Sequence, residues 1–496
     1  MKKIYQSTVI ALSLFAFTSC GNDWLDINPA DGLPTGNAIT NYNDALVART
    51  GMYDGLQGNA DNNEYYAAKM FYYGDVSADD MQARTQGMRS SSSYEKRFTL
   101  DNAPKIWKIP YNVIRRANRI IEAIDLGKIT DAKEAELNEL KAEALVVRAL
   151  VHFDLVKIYA KPYTTDNGVS YGVPIVTSAL STDALLGRNT VAQVYDQVIK
   201  DLTDAIELKE LSTDLTPGYI NEWTAKGLLS RIYLYKGDNQ NALSIAQDVI
   251  TNSGYKLWSN AEYISAWSAR NQKSKEEFIF EILNAGSDDW GDRESISYLL
   301  NEDGYADAIL TKSFLDLLNE DPLDVRHGIT LPAMKDEDLM EQFKDAKIFI
   351  NKFPANSEGE MRLNSLPILR MSEVVLNAAE AAMKLNKTTE AAKYLNEIAL
   401  RANPAATPAT TASVSLEQIL KERRKELVGE GHRFFDAMRN NETIVRYVDD
   451  KNQGYHYNLE KVSQKFDNTY FRAILPIPVN EVNVNPLLRE QQNPGY

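Results

Sequence analysis

Apolar positions fall into a helical period over most of this chain and lose it in two stretches. Between residues 131 and 160, Leu137, Leu140, Ala144, Val147, Val151, Leu155 and Ile158 recur at spacings of three and four, which predicts a helix with one buried stripe. Asp131 with Glu134 offers a capping-box start, and Lys161-Pro162 a stop. A second helix is predicted from Thr190, capped against Gln193, with Val191, Val194, Tyr195, Val198, Leu202 and Ala205 on one face. A third starts at Ser415, capped against Gln418, and is predicted to run through Leu427 to Phe434 and Met438. Two further segments, 223–252 and 372–403, have the length and texture of tetratricopeptide hairpins. Each breaks at a turn, Lys236-Gly237-Asp238 or Asn386-Lys387, and carries alanines where paired helices must approach closely.

The period fades at 59–102 and again at about 255–370. The first stretch holds Tyr65, Tyr66, Tyr72 and Tyr73, and the second Trp258, Trp267 and Trp290. Irregular segments of this length in a compact protein are functional or disordered, and their aromatic content speaks against disorder.

At the N-terminus, Lys2-Lys3 precedes a mostly apolar run from Ile4 to Phe17, and Thr18-Ser19-Cys20-Gly21 follows. The run is short for a membrane span and reads as a removable export signal. Cys20, the only cysteine of the chain, sits at the cleavage point and reads as a lipidation site; a chance cysteine after an ordinary signal peptide is the alternative. Each acyl methylene contributes about 0.8 kcal/mol, so two or more chains anchor stably. Residues 1–19 are thus a signal peptide, 20–36 a lipidated start and tether, and 37–496 a single domain.

Composition then removes whole classes of function. Lys and Arg number 54 against 69 Asp and Glu, a formal charge of −15, which argues against a phosphate-neutralising nucleic-acid surface; only a local basic patch would supply one, and the sequence shows no basic run. With Cys20 acylated, no thiolate remains for catalysis or metal binding. The four histidines lack metal-ligand spacing, and no nucleophile elbow or phosphate loop occurs. Asp316, Asp321 and Asp324 lack the alternation of a calcium loop, and an ion pair between Asp324 and Arg326 is the better reading. No metal and no cofactor is expected. The charged run 422–433 places Glu430, Arg433 and Asp436 three apart, as expected of a helix whose arginines tie into neighbouring helices.

Taken in order, several segments resemble the SusD/RagB family of Bacteroidetes outer-membrane lipoproteins. They are Trp24-Leu25-Asp26 after Cys20, Trp107 with Ile114-Arg115-Arg116-Ala117-Asn118, Gly172-Val173-Pro174, Leu369-Arg370, Glu422 to Leu427, Glu430-Gly431-His432-Arg433, Leu475-Pro476-Ile477-Pro478 and the terminal Asn493-Pro494-Gly495-Tyr496. The resemblance implies an all-α fold of tetratricopeptide-type hairpins with an irregular ligand-binding region. It also implies a non-catalytic protein, lipid-anchored in the outer membrane and facing the cell exterior, that captures oligosaccharide for a SusC-like TonB-dependent transporter. Asp23 and Asp26 fit the acidic stretch that directs such lipoproteins outward. Peptide cargo, as in RagB-like members, is the nearest alternative, and a tetratricopeptide adaptor a more distant one.

A sugar presents an apolar C–H face to an aromatic ring and hydroxyls to polar groups at its edge. Burying about 100 Å² of apolar surface is worth roughly 2.5 kcal/mol, whereas association costs about 4 kcal/mol or more. Two or three rings are therefore needed. The irregular stretches nominate Trp267, Trp290, Tyr298 and Tyr72 as rings, with Asp79 and Arg84 as hydroxyl partners. A place in a satellite core is the competing role for each ring. Trp107 and Trp223, which open periodic helices, are assigned to the scaffold.

Overall fold

A computed structural model describes residues 38–58, 65–66, 68–84, 89–181, 183–215, 218–268, 276–284, 295–344, 346–354, 360–361, 364–446, 454–457 and 459–496. The chain is mainly helical, and the all-α expectation holds. No helix among the described residues is long and apolar enough to cross a membrane.

Helices Tyr42–Gln57, Lys108–Asp125, Glu134–Tyr159, Val191–Glu207, Glu222–Lys236 and Asn239–Asn252 follow one another, each packed on the next. The row continues with Met371–Lys384, which packs directly on Asn239–Asn252, and then with Thr388–Ala402. Residues 253–370 therefore leave and re-enter the scaffold between two helices that touch. At that neck, strand Phe278–Ile282 pairs antiparallel with Leu366–Arg370. Gly227 of Glu222–Lys236 is pressed against Leu369, leaving no room for a Cβ. Inside the 255–370 stretch, expected to be irregular, lie short elements: helices Ile296–Leu300 and Lys312–Asn319, and strands Ala308–Leu310, Thr330–Leu331 and Phe349–Ile350.

Local chemistry sets several boundaries as predicted. Thr190 and Gln193 cap each other reciprocally, as do Ser415 and Gln418. Gly237 ends Glu222–Lys236 in the left-handed conformation (φ 83°). Three predictions need correction. Asp131 does not cap the long helix; the Glu136 carboxylate does, accepting the Lys133 N–H at 2.8 Å, while Asp131 accepts the Tyr42 N–H at the start of another helix. That long helix is not one-faced either: from Ala142 to Val156 every residue is buried, because helices pack around its whole circumference. The third helix stops at Leu427. Gly429 and Gly431 take positive φ, and Arg433–Arg439 follows as a separate helix. Gly431 lies against the backbone of Met70 and Phe71, so the break seats the helix Lys69–Val76.

The charged run 422–433 is the centre of a buried ionic network, and Arg370 at the end of the neck strand is its hub. All five Arg370 donors are used: Nε and Nη2 on the Glu430 carboxylate, Nη1 on Glu277 and Glu426, and Nη2 also on the Glu426 carbonyl. Arg326 pairs with Asp324 at 2.6 Å, as expected, and Arg401 joins Glu426 at 2.7 Å. Arg231 holds Glu373, and Arg439 holds Glu380 and Asp436. Buried charge of this kind is tolerable only with every partner in place.

The same burial fixes the acid response. His152 is surrounded: its Nδ1 faces the Arg148 carbonyl at 3.0 Å and its Nε2 accepts the Val176 N–H at 3.2 Å. Burial pushes His152 and His432 down to about 4 and His456 to about 3. Unfolded imidazoles titrate near 6.5, so below about pH 6.5 the unfolded chain takes up protons that the folded chain refuses, and stability falls with pH. Glu373 and Asp436, which burial would raise, are held instead to about 2, chiefly by Arg231 for the first and Arg423 for the second. They add a loss of the same sign below about pH 4. From the histidines the urea midpoint is expected to fall steadily below about pH 6.5; a midpoint unchanged at pH 5 would contradict this.

Candidate functional site

Two strands too short to stand alone bring the irregular stretches together. Met81–Ala83 pairs antiparallel with Ala308–Leu310, Met81 opposite Leu310 and Ala83 opposite Ala308. Beyond the pair, the Arg84 N–H donates to the Asp307 carbonyl at 2.9 Å. The buried Asp307 carboxylate then accepts the N–H groups of Arg89 (3.2 Å) and Ser90 (2.8 Å). One aspartate thus fixes the chain on either side of residues 85–88, which lie outside the described residues.

The stretch 301–307, between helix Ile296–Leu300 and strand Ala308–Leu310, folds tightly back on that helix. The Tyr305 N–H donates to the Tyr298 carbonyl and the Asp307 N–H to the Leu299 carbonyl, both at 2.7 Å. Gly304 sits so near Tyr298 that any Cβ would meet its carbonyl. This turn sets the half-buried rings of Tyr298 and Tyr305 side by side, centroids 6.1 Å apart at 49°. The Arg89 guanidinium lies 3.6 Å from the Tyr305 centroid, a cation–π contact that covers one face of the ring and favours this orientation. The Tyr72 hydroxyl approaches the Arg89 carbonyl at 3.5 Å. Arg84 pairs with Asp336 at 2.8 Å. Glu302 accepts the N–H groups of Met334, Lys335 and Asp336, which draws that loop to the same turn. The result is a preorganised aromatic pair bordered by charged groups, suited to covering an apolar face and hydrogen-bonding its rim.

The nominated residues divide. Tyr298 and Arg84 belong to this cluster. Tyr72 adjoins it, but its ring is 6% exposed and serves as packing under the Arg89 segment rather than as a platform. Asp79 is no hydroxyl partner: Arg433 grips it through Nε at 2.7 Å and Nη2 at 3.0 Å. Burial would raise its pKa, but Arg433 and Arg424 hold its carboxyl well below the usual range. Trp267 is 1% exposed. It stands edge-on to Trp258 and Phe278, with Lys352 4.9 Å and Arg370 5.3 Å from its ring, and so roofs the ionic hub. Trp267→Ala is expected to cost about 3–5 kcal/mol of stability and to leave ligand affinity of the folded protein unchanged, by urea unfolding and calorimetry on one preparation. Trp290 and Cys20 lie outside the described residues. Tyr305 and Arg89 were missed; Gly304 beside Tyr305, seven residues after Tyr298, was the available signal. Trp107 and Trp223 are buried, as assigned.

Among the described residues no three His, Cys, Asp or Glu side chains are placed to hold a metal ion.

A sequence model described as starch-binding and associating with the outer membrane matches residues 23–234, and a model of the SusD family matches residues 329–496. A SusD superfamily protein of Bacteroides thetaiotaomicron VPI-5482 is 38% identical with a TM-score of 0.84, the match covering 92% of this chain and 100% of that one. A SusD-like protein of Bacteroides ovatus is 23% identical over 91% of this chain and 84% of its own length. Likeness of fold alone extends to the surface glycan-binding protein A of Bacteroides thetaiotaomicron, in complex with laminarihexaose. It is 21% identical with a TM-score of 0.71, over 92% of this chain and 100% of that one.

Proposed function

Since this chain belongs to the SusD family, we propose that it binds oligosaccharide at the cell surface without cleaving it and delivers it to a SusC-like TonB-dependent transporter. The observation that carries the reading is the Tyr298–Tyr305 pair with Arg89 stacked behind it. Two rings supply roughly 4–5 kcal/mol of apolar contact, enough to offset the cost of association only when hydroxyl contacts at the rim add to it. That places the affinity between about millimolar and micromolar, weak enough for cargo to be passed on. The glycan carried by the fold-mate and the starch-binding, outer-membrane description of the matching family model support sugar over peptide. Acylation at Cys20 would hold the body at the outer membrane.

The test is calorimetry of the acyl-free protein against neutral and acidic oligosaccharides and peptides. Saturable binding of an oligosaccharide, with its chain length unchanged on recovery, is the expected result. Binding of peptides alone, or release of shorter sugars, would overturn the reading.

A further inference from the structure

Far along the chain from the tyrosine pair, a cleft of about 330 Å³ opens between Tyr42–Gln57 and Lys108–Asp125. Val47, Ala48 and Gly51 form one wall, and Ala123 contributes from the other helix. Val47 is 65% exposed, an apolar side chain that nothing among the described residues covers. The rim is basic in a chain of charge −15: Arg115, Arg116, Arg119 and Lys128 line the cleft. Its two acids are engaged, Asp44 with Thr40 and Asn41, and Glu122 with Arg119 at 3.8 Å. Apolar wall and cationic rim together define the chemistry of an occupant: an extended segment alternating aliphatic or aromatic side chains with carboxylates.

The chain itself carries such a segment immediately upstream. Residues 23–33 read Asp-Trp-Leu-Asp-Ile-Asn-Pro-Ala-Asp-Gly-Leu, with three carboxylates, four large apolar side chains and neither Lys nor Arg. Ala38 and Ile39, where the described residues begin, themselves line the cleft. An extended chain advances about 3.3 Å per residue, so this segment is long enough to run back along the 16-residue helix Tyr42–Gln57, whose rise is about 1.5 Å per residue. The family match also begins at residue 23; a spacer of arbitrary sequence would present no pattern to match.

We propose that this cleft is the seat of residues 23–33 of the same chain. The segment then acts as a strap that shortens the link between lipid and body and fixes which side of the molecule faces the membrane.

Because Cys20 is the only cysteine, Cys20→Ser gives a thiol-free full chain into which single probes can be placed. Val47→Cys reports the cleft, and Val169→Cys, at a position 74% exposed, reports open surface. Alkylation of Val47→Cys is expected to be at least tenfold slower than that of Val169→Cys. Adding Trp24→Ala, Leu25→Ala and Asp26→Lys should bring the two rates within about twofold. Equal rates without those substitutions overturn the proposal. So does protection that survives them, or that grows with protein concentration, which would assign the cleft to another occupant or a second copy.

Discussion

Replacing Arg370 by methionine is expected to destabilise the protein by about 3–5 kcal/mol, a large share of a typical folding free energy. Methionine fills similar space but strands Glu277, Glu426 and Glu430, whose carboxylates Arg370 bridges from a position 1% exposed. Lysine keeps the charge but cannot reproduce a planar five-donor fork, so Arg370→Lys should fall between wild type and Arg370→Met. Lys200→Ala removes an exposed pair with Asp204 and should leave the unfolding midpoint where it was. Urea titrations of the three variants decide it; Arg370→Met unfolding at the wild-type midpoint would refute the hub.

The second large effect is on binding. Tyr305→Ala is expected to weaken oligosaccharide binding by about 2 kcal/mol, roughly thirtyfold, and Tyr298→Ala with Tyr305→Ala to take it beyond calorimetric detection. Both rings are half-buried, Tyr298 on helix Ile296–Leu300 and Tyr305 on the turn bonded back to it, so the thermal midpoint should move little. Arg89→Ala leaves both rings present but frees one face of Tyr305, and an intermediate loss is expected from the lost orientation. Unchanged affinity in the double variant, with the fold intact, would remove this loop as the site.

What could be read from the sequence depended on how far a residue's partners lay along the chain. Thr190–Gln193, Ser415–Gln418 and Gly237 are local chemistry, and their elements formed as predicted. The charged run 422–433 was legible as structural, because charges at helical spacing in a buried setting must find partners. Asp131 failed for the opposite reason: its partner, Tyr42, is 89 residues away. Trp267 and Tyr298 looked alike in an aperiodic, aromatic stretch. Only the three-dimensional neighbourhood separates them, since strand Phe278–Ile282 brings Phe278 onto one while the other stands on a short helix against which the Gly304 turn folds. Arg89 and Tyr305 meet because Asp307 draws in a backbone 218 residues earlier, which no local pattern announces.

The strand pair Met81–Ala83 with Ala308–Leu310, and Asp307 bonded to Arg89 and Ser90, join two segments far apart in sequence, Arg89 and Asp307 being separated by 218 residues. A relative that acquires a new ligand cannot rewrite one of them alone, because each is the other's template. Substitutions around residues 84–90 and 298–307 should therefore arise in concert across the lineage, and a transplant of either segment between relatives should succeed only when its counterpart travels with it.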